Sequence, residues 1–263
     1  MILIKIGGGS LINIEGVAED IASLKDKCIV VHGANAARDK LALDLDKPKK
    51  VITSVSGYSS VFSDENAIDI IMMSYAGIKN KRIVEQLQLK GVNALGLSGM
   101  DGRVIQGCRN KGIRIKENGK VMIARDFSGK PKAVNKGLLQ LLVDNGYVPV
   151  LCIPIIDENS FAINSENDDI INVLQQEFKA EKIIQLIEAP GFLGNKEDEG
   201  SLVKNISKEE LEGIEAKVEG RMKRKILALR KLFENGAAEV IMSDGRSEHP
   251  VKDALEGKGT IIH

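Results

Sequence analysis

Four segments of this 263-residue chain carry residue types suited to handling a phosphorylated ligand. The first is Lys5-Ile6-Gly7-Gly8-Gly9-Ser10. Glycines at the carboxyl end of a strand let backbone N–H groups approach phosphate oxygens, and a lysine just before the turn adds a point charge. The spacing is neither GxxxxGK[ST] nor GxGxxG, so a P-loop and a dinucleotide fingerprint are both excluded. Alone, the segment reads equally well as a plain strand-to-helix turn. The second is His32-Gly33-Ala34-Asn35, for which the alternative is a turn with a packed histidine. Two such turns, ending the first two strands, can converge on one crevice. The third is the polar loop Ala162-Ile163-Asn164-Ser165-Glu166-Asn167-Asp168-Asp169. Its amides and hydroxyl could hold a substrate and its carboxylates could orient lysines, although acids there also serve as an ordinary helix N-cap. The fourth is Gly220-Arg221-Met222-Lys223-Arg224-Lys225, where cations at the start of a helix oppose its dipole. That favours an anion-binding role, against the common alternative of a solvated charged face.

The elements that must position these residues alternate between short apolar runs and amphipathic stretches, the α/β pattern. Strands are expected at Ile2–Ile6, Cys28–Val31, Ala94–Leu97, Val148–Ile156, Lys182–Ile187 and Glu239–Ser243. Helices are expected at about Val17–Leu24, Asp64–Ala76 with Ser63 as N-cap, Asn80–Leu89, Asn135–Asp144, Glu166–Phe178, Glu219–Glu234 and Val251–Leu255. Ile113, Ile115, Val121 and Ile123 alternate about Asn118-Gly119, a hairpin signal. No repeat or Pro/Ser linker interrupts the chain. The expectation is therefore a single three-layer αβα sandwich with a mostly parallel central sheet and two functional halves, about 1–160 and about 161–263.

Lys plus Arg equals Asp plus Glu at 37 each, so no overall field favours nucleic acid or an anionic membrane. Cys28, Cys108 and Cys152 form no CxxC pair and the three histidines are scattered, which argues against a disulfide framework or a resident metal site. No run approaches the roughly 20 apolar residues needed to span a bilayer, and the expected location is cytoplasmic.

Taken in order, KIGGGS, VHGAN, the GLSGMDG segment Gly96–Gly102, AINSENDD and GRMKRK resemble the amino-acid kinase superfamily, specifically its acetylglutamate-kinase branch. The resemblance spans essentially the whole chain. Asn80–Glu85, the SGMDGR stretch Ser98–Arg103, Phe127–Lys130 and the stretch Ser243–Ile262 resemble the subfamily that acts on carrier-linked aminoadipate in lysine biosynthesis. It implies ATP with Mg²⁺ carried by the nucleotide, and γ-phosphoryl transfer to a side-chain carboxylate of a carrier-linked aminoadipate or glutamate, giving an acyl phosphate. It implies that Lys5 and Lys225 flank the transferring group and that Asp168 organises them. Gly7, Gly8 and the backbone of Gly33, Ala34 and Asn35 would contact phosphate and substrate, with Asn164 binding substrate.

Three departures stand out. Ala34 and Asn35 bring side chains where the family has glycine or serine. Glu188, within Ile187-Glu188-Ala189-Pro190-Gly191, replaces the usual aspartate or asparagine. The acceptor pocket is expected within Ser56–Ser63, at Ser59, Ser60 and Val61, but Val61 and Ser59 stand where the family has arginines, a loss of bidentate carboxylate recognition. The catalytic lysines are retained, which implies an active kinase with an altered acceptor. A small acidic carrier protein is the expected partner, docking at Arg109, Lys111, Arg114, Lys116 and Lys120 or at Lys47, Lys49 and Lys50. The alternatives are an N-acetylglutamate kinase acting on the free metabolite and a non-catalytic nucleotide- or amino-acid-binding regulator. No long helix precedes the first strand, so a homodimer is expected rather than the hexamer of arginine-sensitive relatives.

Overall fold

The computed structural model describes residues 1–263 apart from Ser56, Tyr58, Asn118, Gly119, Glu219 and Ala238; the side chains of Ser59, Glu117, Lys217, Arg221 and Met222 are also outside the description. In chain order the elements begin β1 (Ile2–Ile6), α1 (Ile14–Ser23), β2 (Cys28–His32), α2 (Asn35–Asp44), β3 (Val51–Thr53), β4 (Ser59–Val61), α3 (Glu65–Ile71) and α4 (Asn80–Leu89). The π-helical segment Met72–Lys79 joins α3 to α4. Next come β5 (Ala94–Ser98), β6 (Ile105–Arg109), β7 (Ile113–Glu117), β8 (Lys120–Ala124), β9 (Gly129–Val134), α5 (Lys136–Asp144), β10 (Val148–Cys152), β11 (Ile155–Ile156) and β12 (Ala162–Ile163). The chain closes with α6 (Asn167–Phe178), β13 (Lys182–Ile187), β14 (Asn205–Ile206), α7 (Glu210–Lys217), α8 (Gly220–Glu234), β15 (Val240–Asp244), α9 (Pro250–Leu255) and β16 (Thr260–Ile262).

Among the described residues the main sheet has eight strands in the order β14-β16-β15-β13-β1-β2-β10-β5. Its pairs are parallel except β15 with β16. The Ile- and Val-rich runs are buried on both faces, as a helix-covered parallel sheet requires. Strand side chains alternate between faces. Ile2, Ile4 and Ile6 of β1 pack with Val17 and Ile21 of α1, Ile83 and Leu87 of α4 and Val251 of α9. Leu3 packs on the other face with Ile171 and Leu174 of α6 and Ile226 and Leu229 of α8. Lys5 shares the face of Leu3, so β1 delivers its ammonium to the layer formed by α6 and α8. Ile6 lies in register with His32, and the two glycine turns therefore leave the sheet side by side.

The structure corrects several expectations. The apolar run Val148–Ile156 is two strands, not one: β10 ends at Cys152, the Ile153–Pro154 peptide is cis, and β11 joins a separate four-stranded sheet, β12-β11-β6-β9. Proline supplies no N–H to continue a ladder. The N-cap of α3 is Asp64, whose carboxylate accepts from Ala67 N at 2.9 Å; Ser63 is buried and bonded elsewhere. α1 begins at Ile14, capped by Asn13, earlier than its apolar pattern suggests. The β7–β8 hairpin forms in the expected register, its Asn118-Gly119 turn lying outside the described residues.

Candidate active site

The glycine turns interlock. Gly7 N donates to Leu186 O, Gly33 N to Ile6 O and Ala36 N to Gly8 O, each at 2.9 Å. A Cβ on Gly8 would lie 2.7 Å from Asn35 N, and one on Gly33 would lie 2.8 Å from Gly8 Cα. Neither position accommodates a side chain without moving backbone. Among the described residues the N–H groups of Gly8, Gly9, Ser10 and Asn35 have no partner, that of Ala34 is directed at the Tyr75 hydroxyl, and the nitrogens of Ala34 and Asn35 crowd around Gly8. That is a nest of donors suited to an anion. The two side chains foreign to the family loop do not obstruct it. Ala34 is part of the core, and the Asn35 amide oxygen accepts from Tyr75 Oη at 2.7 Å.

His32 is fully buried, and burial pushes its pKa down to about 4. Its Nε2 lies 3.1 Å from Asn80 Nδ2 and its Nδ1 3.2 Å from Gly33 O. A neutral ring whose Nδ1–H donates to that carbonyl and whose Nε2 accepts from the amide satisfies both contacts. The histidine supports the turn from below.

Three charged side chains meet where β1 faces α6 and α8. Lys5 Nζ donates to Asp168 Oδ1. Burial alone would raise the Asp168 pKa, but the charge and hydrogen bond of Lys5 and the charge of Lys225 hold it below the usual carboxylate range. Burial pushes Lys225 down to about 8, with Lys5 adding repulsion and Asp168 partly opposing it. Two ammonium groups thus face one carboxylate, which leaves a net positive charge unneutralised. Asp168 does not serve merely as a helix cap: it is in the first turn of α6, and its carboxylate is bound to Lys5. α8 carries Lys225 inward while Arg224 pairs with Glu166 of the preceding loop. Asn167 Nδ2 reaches back to His32 O at 3.1 Å, tying the loop to the second glycine turn.

A second wall comes from distant segments. Asn164 Nδ2 donates to Ser63 Oγ at 2.9 Å, and Asn164 N donates to Phe127 O at 2.7 Å. Buried Asp126 accepts from Ser63 N at 2.9 Å and from Ser128 N and Oγ at 3.1 and 2.6 Å. Ser60 and Val61 follow on β4, paired with Ile52 and Val51 of β3. Val61 also lines a cavity of about 190 Å³ with Arg38, Lys47, Lys49 and Lys50. Tyr58 is outside the described residues and the Ser59 side chain is likewise not described. Sequence reasoning missed Ser63 and Asp126, because their contacts join segments up to 101 residues apart and no local spacing announces them.

On the other flank the Glu188 carboxylate lies against Gly9 and accepts from Leu11 N at 2.5 Å. Beyond it, past the carboxyl ends of β13 and β15, a cavity of about 420 Å³ is lined by Pro190, Leu202, Lys204, Ser243, Lys258 and Gly259. Among the described residues no group of three or more His, Cys, Asp or Glu side chains could hold a metal ion. No helix there is long and apolar enough to cross a membrane.

Comparison with known proteins agrees with this geometry. The sequence is 41% identical over 268 residues to a protein of Thermus thermophilus named [LysW]-aminoadipate kinase, covering all of both chains. It is 38% identical over 266 residues to a protein of the same name from Deinococcus radiodurans, covering all of this chain and 91% of that one. The structure of Giardia carbamate kinase superposes with a TM-score of 0.68 at 15% identity, over 99% of this chain and 97% of that one, a likeness of fold. The model of the amino acid kinase family matches residues 1–243, and the chain belongs to that family.

Proposed function

We infer that this protein transfers the γ-phosphoryl group of ATP to the side-chain carboxylate of an aminoadipate or glutamate carried on a small acidic protein. The carrying observation is the Lys5–Asp168–Lys225 grouping at the mouth of the two glycine turns. The N–H groups of Gly8, Gly9 and Asn35 cradle phosphate oxygens, and Lys5 and Lys225 face the transferring group. An acceptor carboxylate oxygen forms the new P–O bond while the bond from phosphorus to the β,γ-bridging oxygen breaks, leaving ADP and an acyl phosphate. The acceptor is already ionised at neutral pH, so no general base is required. Alignment and charge neutralisation supply the catalysis, as phosphoryl transfer demands. Mg²⁺ would be carried by ATP and would offset its phosphate charge.

In this reading residues about 1–160 hold the acceptor and about 161–263 the nucleotide, whose nucleoside fits the cavity past Pro190. Asn164 faces the acceptor beside Ser59, Ser60 and Val61. A carrier needs a surface beside that pocket, and the β7–β8 hairpin supplies one. It abuts β3 through the Ser54–Ile115 bridge and exposes Val121, Met122 and Ile123 alongside Lys116 and Lys120. Homodimerisation in the cytoplasm completes the reading; Leu95 of the edge strand β5 and Leu89 of α4 are both exposed.

Trapping the acyl phosphate as a hydroxamate tests the function. Carrier-linked aminoadipate should yield hydroxamate and ADP at rates free N-acetylglutamate does not reach. Equal efficiency with the free metabolite would sink the carrier requirement, and absence of ADP release with every carboxylate would sink kinase action.

A further inference from the structure

The cations beside Val61 are engaged elsewhere: Arg38 and Lys49 pair with Asp39, Lys47 donates to Asn66, and Lys50 lies over the Phe62 ring. Ser60 and Val61 are neutral, Asn164 donates to a Ser63 hydroxyl that itself donates to Val61 O, and Asp126 is a carboxylate spent on backbone and hydroxyl donors. A substrate that offers one carboxylate for phosphorylation and carries a second beside its amide-linked nitrogen needs something to hold that second group. Lys5 and Lys225 belong to the phosphoryl group.

Arg109 fits the need. It is the last residue of β6, not a charge on the neighbouring hairpin. Its Nε donates to Asp126 O at 2.8 Å, and its guanidinium lies 3.9 Å over the Phe127 ring. These two contacts fix the plane of the fork. Phe127 and Asp126 are the residues whose backbone and carboxylate position Asn164 and Ser63. The guanidinium is thus built into the acceptor wall one hydrogen bond from its positioning residues. The terminal nitrogens of the fork have no hydrogen-bond or ion-pair partner among the described residues. The neighbouring Glu158 accepts from the Arg109 main-chain N–H at 3.0 Å and feels the Arg109 charge, but no ion pair within contact distance joins it to the guanidinium among the described residues. A stacked, half-buried guanidinium with its paired donors unused is shaped for a carboxylate.

We propose that Arg109 anchors the second, non-reacting carboxylate of the acceptor, supplying from β6 the charge that β4 does not carry. This rests on the acceptor reading given above and narrows it: the substrate is a dicarboxylate whose α-carboxylate is free. Ground-state binding, rather than the chemical step, is what the contact serves.

The test pairs a variant with a substrate change. Arg109→Gln keeps an N–H at the Nε position for Asp126 O and a planar group over Phe127, but removes the outer fork. Binding of N-acetyl-aminoadipate and of its α-carboxamide is measured by calorimetry on both proteins. Wild type should bind the acid about 10- to 100-fold more tightly, the range for a hydrogen-bonded charged pair. Arg109→Gln should bind the two equally, with ATP affinity unchanged. Arg109→Lys, which keeps the charge without the fork, should show an intermediate preference and serves if the glutamine variant does not fold. An undiminished preference for the acid in Arg109→Gln, or no preference in wild type, overturns the proposal. Binding is read without turnover, so a wild type that prefers the acid yet makes no hydroxamate sinks the kinase reading and leaves the anchor standing.

Discussion

The two walls of the crevice are built on opposite principles. The donor wall is made of backbone and charge: interlocked glycine turns, two lysines and one aspartate, drawn from β1, α6 and α8. The acceptor wall is made of neutral hydrogen bonds among Ser63, Asp126, Ser128 and Asn164, with Arg109 at its margin. In the proposed reading the backbone N–H groups contact a phosphate that is the same for every acceptor, so their geometry leaves little room for substitution. In the same reading the side-chain network faces the acceptor, and such a network can be rebuilt residue by residue. Ala34 and Asn35 illustrate the first case: the Ala34 methyl packs in the core and the Asn35 amide oxygen accepts from Tyr75, so neither side chain obstructs the N–H groups of Gly8, Gly9 and Asn35. Val61 illustrates the second, a neutral residue where charge recognition is expected.

The sharpest way to break this contrast is Lys225→Ala. Removing a charge aimed at the transferring group should lower kcat by about 10³-fold, as loss of a preorganised electrostatic contact does. Melting temperature should hold or rise, since the buried ammonium lacks an ion pair among the described residues. Acceptor binding should be unchanged. A kcat within tenfold of wild type would remove Lys225 from the chemistry.

Why one wall was legible from sequence and the other was not follows from how each is made. Lys5 and its glycines are contiguous, and a strand-turn pattern fixes where they point. Asp168 and Lys225 each sit in the first or second turn of a helix whose apolar spacing is plain. The Ser63–Asp126–Asn164 network joins three segments through single hydrogen bonds, and Ser63 resembles an N-cap in sequence because it directly precedes Asp64, the residue that caps α3. α2, Asn35–Asp44, went unmarked because it buries only Arg38 and Ala42, so apolar spacing scarcely shows. The split of Val148–Ile156 depends on Pro154, which hydrophobicity alone does not register.

Gly8→Ala probes the donor wall's backbone. A methyl 2.7 Å from Asn35 N must push the two turns apart. Turnover should fall roughly 100-fold through misplaced phosphate donors, since displacement of about an ångström costs that much. The effect should appear in both kcat and the KM for ATP. Glycine 57, which has nothing within 4 Å of its own Cβ position but a φ of +84°, offers a contrast: there alanine strains only its own backbone. If Gly8→Ala binds an ATP analogue normally, the nest is not the phosphate site.

On the acceptor wall, Asp126→Ala leaves the buried Ser63 N–H without its acceptor and frees Ser128. An unsatisfied buried donor costs about 1–3 kcal/mol. The KM for acceptor should rise about tenfold and the melting temperature should drop, with the KM for ATP unaffected. A matched rise in both KM values would mean the walls are one network rather than two.

The smallest effect separates the walls by pH. Lys225 is held down to about 8 in the empty enzyme, chiefly by burial and then by Lys5. Its ammonium is present below that value and lost as pH rises through it. Nucleotide affinity should therefore be level from pH 6 to 7.5, halve near pH 8 and fall about tenfold per unit above it until the ammonium's contribution is exhausted. Bound phosphate stabilises the ammonium, so the same limb measured in the ternary complex should lie at higher pH. Binding of N-acetyl-aminoadipate, measured alone, touches neither lysine's charge directly and should stay flat to pH 9. Lys225→Arg keeps its charge throughout and should abolish the limb in nucleotide binding. An acceptor-binding curve that falls with the nucleotide curve would place Lys225 on both walls and erase the division between them.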